Sequence, residues 1–380
     1  MIIGIDASNI RSGGGVLHLQ KLLSITDPQI YGFNKVVVWG AKETLKTLKD
    51  RTWLKKIHKN TFEKNNIIRT IWQFLYLNKN AINEKCDVVF IPGGTYGAKF
   101  DPIVTMNQNL LPFDRKEAKR YKKIITKIKW FLLRQAQSKS FKSAKGIIFL
   151  SKYAKKIVID ETGLLMGTSV IISHGIDKRF IKRPKKQKPI SLYNETNPFK
   201  LIYVSSVEPY KHQSIIAKAI TFLRKEGYPI ILNIIGSGSV EELKNLKLTI
   251  KKYDKYNCIN YQNFISHSKL KNQYFDADMA VYASTCETFG IPLIEGMAAG
   301  LPTVCSRSSV IPEIIGEAGV YFDINDFDSV IIAIKKIIDS PKLRSEKAKL
   351  GYKKGITYSW EKCSDETFQF FNRIALNKKT

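Results

Sequence analysis

The sequence is short of acidic residues and has no long unbroken apolar run. Only 33 Asp and Glu stand against 62 Lys and Arg, a formal net charge of +29 over 380 residues. An excess of that size calls for an anionic partner or surface, unless it follows from the codon bias of an AT-rich genome, which also yields abundant Lys, Ile and Asn. No stretch reaches the roughly 18 consecutive apolar residues of a membrane span. The opening MIIGIDASNI has no basic region ahead of an apolar run, so neither secretion by that route nor integral insertion is expected. Cysteine is scarce: Cys86, Cys258, Cys286, Cys305 and Cys363 form no CxxC pair and have no histidine at zinc-finger spacing. A disulfide scaffold is thereby excluded, no metal site is expected, and reduced thiols point to a cytoplasmic setting. Disorder is excluded by 44% hydrophobic and 25% charged residues.

What the chain does have is alternation. Short β-branched runs separated by helical patterns begin with MIIGID and continue through KVVVWG, CDVVFIPG, PIVTMN, GIIFLS and SVIIS. Such buried runs with helical crossovers predict a parallel sheet. A basic, proline-containing stretch over 177–198 follows, after which the pattern restarts with KLIYVSS, IILNIIG, CINYQNF, MAVYAS and PTVCS. The reading is α/β: a Rossmann-like, doubly wound domain over 1–176, a linker over 177–198, and a second such domain over 199–358, the two facing each other across a cleft. An amphipathic helix in the segment 359–380, with Trp360, Phe368, Phe370, Phe371 and Ile374, is expected to return to the first domain.

The most informative segment is CETFGIPLIEGMAAG, residues 286–300. It follows the strand MAVYAS and enters a helix that Pro292 is suited to start. Gly290 allows close backbone approach, and the helix N-terminus offers unpaired amides and partial positive charge to a diphosphate. Glu287 and Glu295 can accept hydrogen bonds from sugar hydroxyls.

Two glutamates seven residues apart around Phe-Gly-x-Pro, followed by a small-residue helix, resemble the signature of glycosyltransferase family 4. The similarity extends along DADMAVYASTCETFGIPLIEGMAAGLPTVCSRSSVIPEIIGEAGVYFD and to RSGGGVLHLQKLL, CDVVFIPGG, FKSAKGIIFLSKYAKK, SHGID and IYVSSVEPYKH. The resemblance implies a GT-B fold, a retaining and metal-independent glycosyltransferase, and a nucleotide-sugar donor that is a substrate rather than a cofactor. It places Glu295 on the donor ribose, Glu287 on the donor sugar and Lys211 on the donor phosphates, making Lys211 and Glu287 the catalytic candidates. Ser206, Phe289, Gly290 and Ile291 complete the donor-binding set in that half of the chain. Gly14 and Gly15, between the first strand and its helix, are the donor-binding candidates of the first half.

The chain departs from the family pattern at two places. Ser206 and Tyr210 stand where an arginine commonly accompanies the phosphate lysine; Arg307 is either a second phosphate cation or a surface residue. After the strand PIVTMN, where the family often has a histidine, the sequence reads NQNLL, so Asn107, Gln108 and Asn109 are the polar candidates on the acceptor side. None is a general base, and the departing phosphate oxygen is then the expected acceptor of the proton. His18 is read as a packing or surface residue, His174 as a hinge or packing residue, and Glu313 as a loop-orienting one.

The basic and aromatic stretch 115–145 fits attachment to anionic lipid, in a protein at the cytoplasmic face of a membrane that glycosylates a glycan or lipid-linked acceptor of surface polysaccharide or lipopolysaccharide. The alternative is a helix whose apolar side packs on the sheet beneath solvated lysines. Competing functions are a nucleotide-sugar epimerase of similar architecture and a basic nucleic-acid-binding protein, the latter without a recognition motif to accompany its charge.

Overall fold

The computed structural model describes residues 1–11, 13–97 and 99–377, so the last three residues of the predicted C-terminal segment lie outside the described chain. It divides into two compact units, 1–175 together with 359–380, and 176–358.

In the first unit, strand β1 (Ile2–Ala7) leads to helix α1 (Gly13–Ile25), and β2 (Lys35–Gly40) to α2 (Lys42–Lys46). Strand β3 (Leu54–Ile57), α3 (Asn66–Asn83), β4 (Val88–Ile91), β5 (Ile103–Asn107), α4 (Arg115–Ala118) and α5 (Ile124–Ser143) follow. The series closes with β6 (Gly146–Phe149), α6 (Lys152–Thr162) and β7 (Thr168–Ile171). The strands form one parallel seven-stranded sheet in the order β3-β2-β1-β4-β5-β6-β7. Its central strands are buried on both faces, as continuous Val/Ile runs require.

The second unit begins with β8 (Phe199–Val204), α7 (Gln213–Lys225), β9 (Ile230–Ile235), α8 (Val240–Tyr253), β10 (Ile259–Gln262) and α9 (His267–Asp276). It continues with β11 (Met279–Tyr282), α10 (Ile291–Ala298), β12 (Thr303–Ser306), α11 (Ile311–Ile315), β13 (Gly319–Phe322), α12 (Phe327–Asp339) and α13 (Pro341–Gly355). This sheet is parallel and six-stranded, ordered β10-β9-β8-β11-β12-β13. In both sheets the order reverses beside the first strand, β1 or β8, the place where an open α/β sheet splays its loops and leaves room for a ligand.

The final helix, α14 (Trp360–Leu376), belongs to the first unit and packs on α1. Its buried face carries Phe368 and Phe371; the first stacks on Tyr31 at 5.6 Å between centroids, the second meets Phe90 at 4.9 Å. The Ser364 hydroxyl donates to the Leu22 carbonyl at 3.1 Å.

The stretch 177–198 lies inside the second unit. Phe180 is fully buried against Tyr274, the Lys182 amide donates to the Ala298 carbonyl at 3.0 Å, and Lys185 pairs with Asp278 at 2.7 Å. The buried Arg344 guanidinium donates to the Gln187 Oε1 at 3.1 Å and to the Lys188 carbonyl. A polar, proline-containing composition has here produced a strap fastened along its length, because Phe180, the Lys182 amide, the Lys185 ammonium and the Lys188 carbonyl find specific partners.

The basic stretch 115–145 is broken rather than one helix. Helix α4 ends at Ala118, and α5 starts at Ile124. Between them Lys119, Arg120, Lys122 and Lys123 crowd like charges at helical neighbour spacing, which disfavours a continuous turn, while the Tyr121 ring packs on Trp130 at 5.8 Å.

Candidate active site

Four loops of the second unit, each leaving the carboxyl end of a strand, are tied to one another. The loop after β8 turns through a short helical segment at Pro209–Lys211, and His212 then takes a left-handed conformation, φ 54°, to open α7. This turn is fixed to the loop after β11 by the Thr285 amide on the Tyr210 carbonyl at 2.9 Å and by a 3.1 Å contact between His212 Nε2 and the Thr285 hydroxyl. Gln213 reaches back to the Ser205 hydroxyl at 2.8 Å and the Ser206 carbonyl at 2.7 Å. The loop after β9 lies alongside: Val207 pairs with Gly238, and a side chain at Gly236 would collide with the Ser205 carbonyl. From the loop after β12, Ser309 accepts the Glu287 amide at 2.8 Å and donates to the Glu287 carbonyl at 3.1 Å.

This scaffold brings Lys211 and Glu287 together. The Lys211 ammonium donates to Glu287 Oε1, and the Tyr282 hydroxyl donates to the same oxygen at 2.6 Å. Both side chains are largely enclosed, 7% exposed for Lys211 and 15% for Glu287. The ammonium also lies 5.2 and 5.5 Å from the ring centroids of Tyr210 and Tyr282, within cation–π range. Burial, and then the neighbouring Glu287 carboxylate, drive the Tyr282 hydroxyl well above the ordinary phenol range, so it remains a donor. The fully buried Tyr203 holds the base of the site: its hydroxyl donates to the Lys211 carbonyl and accepts the Ala283 amide at 3.2 Å.

Gly290, φ 92°, is the left-handed residue that opens α10, and its missing Cβ would stand 3.2 Å from the Tyr282 hydroxyl. Ile291 and Pro292 form the first turn, leaving the helix N-terminus beside Glu287 in sequence and in the loop. Glu295, one turn on, is buried, with the Tyr274 hydroxyl 3.1 Å from its Oε2. Desolvation pushes its carboxyl up to about 8, against the opposing Tyr274 hydrogen bond, so at neutral pH it carries its proton and can donate as well as accept.

The other sequence candidates are placed as follows. Phe289 is buried with its ring edge-on to Tyr358 at 5.3 Å, a packing position behind the loop. Ser206 is exposed and contributes its carbonyl to Gln213. The Arg307 guanidinium stacks 4.6 Å from the Tyr321 ring centroid. Gly14, Gly15, Asn107 and Asn109 all belong to the first unit. Gly14 and Gly15 lie in the first turn of α1, and a Cβ at Gly15 would meet the Gln108 carboxamide oxygen at 3.2 Å. Asn107 and Asn109 shape the turn after β5: Asn107 Nδ2 donates to the Asn109 carbonyl and Asn109 Oδ1 accepts the Leu111 amide, each at 3.1 Å. Sequence reasoning did not single out Tyr282, Tyr274, Tyr203 or Ser309. Only the tyrosine closing the strand MAVYAS carried a signal, since a polar group at the carboxyl end of a buried parallel strand faces the loops.

Two parallel α/β sheets with this loop-borne site define the class: the fold is that of the GT-B glycosyltransferases. Over its full length the chain resembles sucrose-phosphate synthase from Thermosynechococcus elongatus, with a TM-score of 0.79, 14% identity and 100% of each chain covered. It also resembles WaaG, a glycosyltransferase involved in lipopolysaccharide biosynthesis, with a TM-score of 0.74, 13% identity, and 98% of this chain and 99% of that one covered. Residues 184–354, nearly all of the second unit, match the family model described as "Glycosyl transferases group 1". Among curated proteins, the O-antigen chain mannosyltransferase B of Escherichia coli is 28% identical over 176 residues, 46% of this chain and 45% of that protein. A glycogen synthase of Mycobacterium tuberculosis is 25% identical over 179 residues, 46% of this chain and 43% of that protein. The matched region thus spans less than half the length of these relatives.

Proposed function

We propose that the protein is a retaining glycosyltransferase of family 4 that moves a sugar from a nucleotide-sugar donor to a glycan or lipid-linked acceptor in surface polysaccharide or lipopolysaccharide synthesis. The observation that carries this reading is the Lys211–Glu287–Tyr282 constellation beside the N-terminus of α10. A donor diphosphate competes with Glu287 for the Lys211 ammonium and is drawn to the positive end of the α10 dipole. Glu287, released from Lys211 but still held by Tyr282 and Ser309, turns its free carboxylate oxygen to the donor sugar. Glu295 takes the ribose hydroxyls. As the glycosidic bond to phosphate lengthens, Lys211 stabilises the charge gathering on the leaving diphosphate, and that oxygen removes the acceptor proton. A relative that is an O-antigen mannosyltransferase and a structural neighbour crystallised with UDP and glucose, HepE of Anabaena, support the donor class and the pathway. The test is two-part: thermal shift against UDP-, GDP- and dTDP-sugars, then NMR of the anomeric proton of the product. Stabilisation by one donor and a retained anomer support the reading; an inverted anomer contradicts it.

Attachment to an anionic membrane face is part of the proposal. In α5, Ile124 and Ile125 are 73% and 82% exposed, and Ile128, Phe131 and Leu132 are exposed among Lys122, Lys123, Lys127 and Lys129. The apolar side of that half-helix therefore does not pack on the sheet of its own unit. Helix α3 exposes Ile67, Ile71, Phe74 and Leu75 as well. Among the described residues no helix is long and apolar enough to cross a membrane. Flotation with anionic but not neutral vesicles is expected; absence from both contradicts it.

A further inference from the structure

The first unit contains a buried cluster that the transfer reaction does not use. His18 projects from the second turn of α1, His174 from the loop after β7, and Cys363 from the first turn of α14. One ligand atom from each, an imidazole nitrogen from the two histidines and the thiol sulfur, all lie within 4.8 Å of one another. The three residues are 1%, 5% and 2% exposed. The two imidazoles are 5.1 Å apart between centroids, and Trp360 closes over both at 6.1 and 5.3 Å, with Phe90 on the far side of His18.

Neither ring nitrogen of His18 has a hydrogen-bond partner among the described residues. A buried polar group left so is destabilising, and packing alone does not call for an imidazole where a phenyl ring would fill the space without that cost. Two imidazoles and a thiol are the donor set of thiophilic d10 cations. In a tetrahedral zinc site, bond lengths of about 2.0–2.1 Å to nitrogen and 2.3 Å to sulfur put ligand atoms roughly 3.4–3.6 Å from one another. The 4.8 Å bound on the cluster exceeds that spacing by about 1.2–1.4 Å, so the three side chains close on the ion when it binds.

We propose that His18, His174 and Cys363 bind one thiophilic cation, Zn2+ or Cu+, that staples α1 to α14. Two nitrogen–metal bonds and one sulfur–metal bond form, the Cys363 thiol releases its proton to solvent, and no electron is transferred. One thiolate cancels the charge of Cu+ completely and leaves Zn2+ with one residual charge and an open fourth position. The ion would join the first helix of the chain to its last, closing a loop from residue 18 to residue 363. The site lies wholly in the first unit and shares no residue with the Lys211–Glu287 site, so its failure leaves the transferase reading untouched.

The experiment is metal analysis of untagged full-length protein, produced in medium supplemented with Zn2+ or with Cu2+ under reducing conditions and dialysed against a weak chelator. One equivalent of one metal is expected in the wild type and its loss in Cys363→Ala and His18→Phe. Because those variants remove buried groups, Co2+ is also added during refolding of the wild type. A thiolate-to-cobalt charge-transfer band and a higher melting temperature are expected. Metal content equal to that of Cys363→Ala in both arms, together with no such band, overturns the proposal.

Discussion

Replacing Lys211 by methionine keeps the apolar stem and removes only the ammonium. Glu287 then keeps the Tyr282 hydroxyl at 2.6 Å and the Ser309 bonds to its backbone, but loses its ionic partner in a site where it is 15% exposed. Removing one partner of a buried pair costs about 3–5 kcal/mol. The residual Tyr282 bond and the partial access to water reduce this to about 2 kcal/mol, seen as a lower melting temperature of the second unit. Glu287→Gln in the same background should restore part of it, giving a coupling of about 1 kcal/mol or more in the double-mutant cycle. Catalytically, loss of a preorganised cation from the leaving diphosphate is worth about 2–4 kcal/mol, or roughly 30- to 900-fold in kcat. The assay is release of free nucleotide from donor under saturating donor, beside circular dichroism to establish folding. A folded Lys211→Met protein with unchanged kcat removes Lys211 from the site, and additive stability losses remove the pair.

Glu295 gives a pH signature. Its folded carboxyl titrates at about 8 against an ordinary 4.5, so folding takes up a proton between those values and stability falls as pH rises, with a slope approaching about 1.4 kcal/mol per unit. Glu295→Gln should flatten that slope in denaturant titrations across the interval; an unchanged slope refutes the assignment. Gly290→Ala must hold φ near 92° and place a methyl 3.2 Å from the Tyr282 hydroxyl, at a cost of about 1–2 kcal/mol, so a lower melting temperature and weaker donor binding are expected in calorimetry. Ile125→Glu with Phe131→Glu changes two side chains that are 82% and 51% exposed, and should abolish flotation with anionic vesicles at unchanged melting temperature.

The two α/β sheets were legible because their central strands are continuous apolar runs, and the strands read from KVVVWG or GIIFLS stand where the sequence places them. The edges were not. Strand β3 is LKKI, in which Lys55 and Lys56 dilute the apolar signal because an edge strand has one flank in solvent, and β13 is only GVYF. The stretch 177–198 misled because composition reports chain stiffness, whereas its anchoring depends on single long-range partners, Tyr274 for Phe180 and Arg344 for Gln187. At the site, the Glu287–Gly290–Glu295 segment was legible as one short motif, as was Lys211 in the loop after its strand. Tyr203 and Ser309 were not, and Tyr282 only by its place at the end of its strand, since their roles arise from three separate strand ends meeting in space. The cluster of His18, His174 and Cys363 is the extreme case: its members come from the start, middle and end of the chain, and no local spacing announces them.

The central claim is that the second-unit site cleaves a nucleotide-sugar bond. The most direct measurement is slow release of free nucleotide from UDP-, GDP- and dTDP-sugars by the wild type and by Glu295→Ala. Release from one donor, lost in a folded Glu295→Ala protein, is the predicted result; release that persists in the variant, or none from any donor together with no thermal shift, contradicts it.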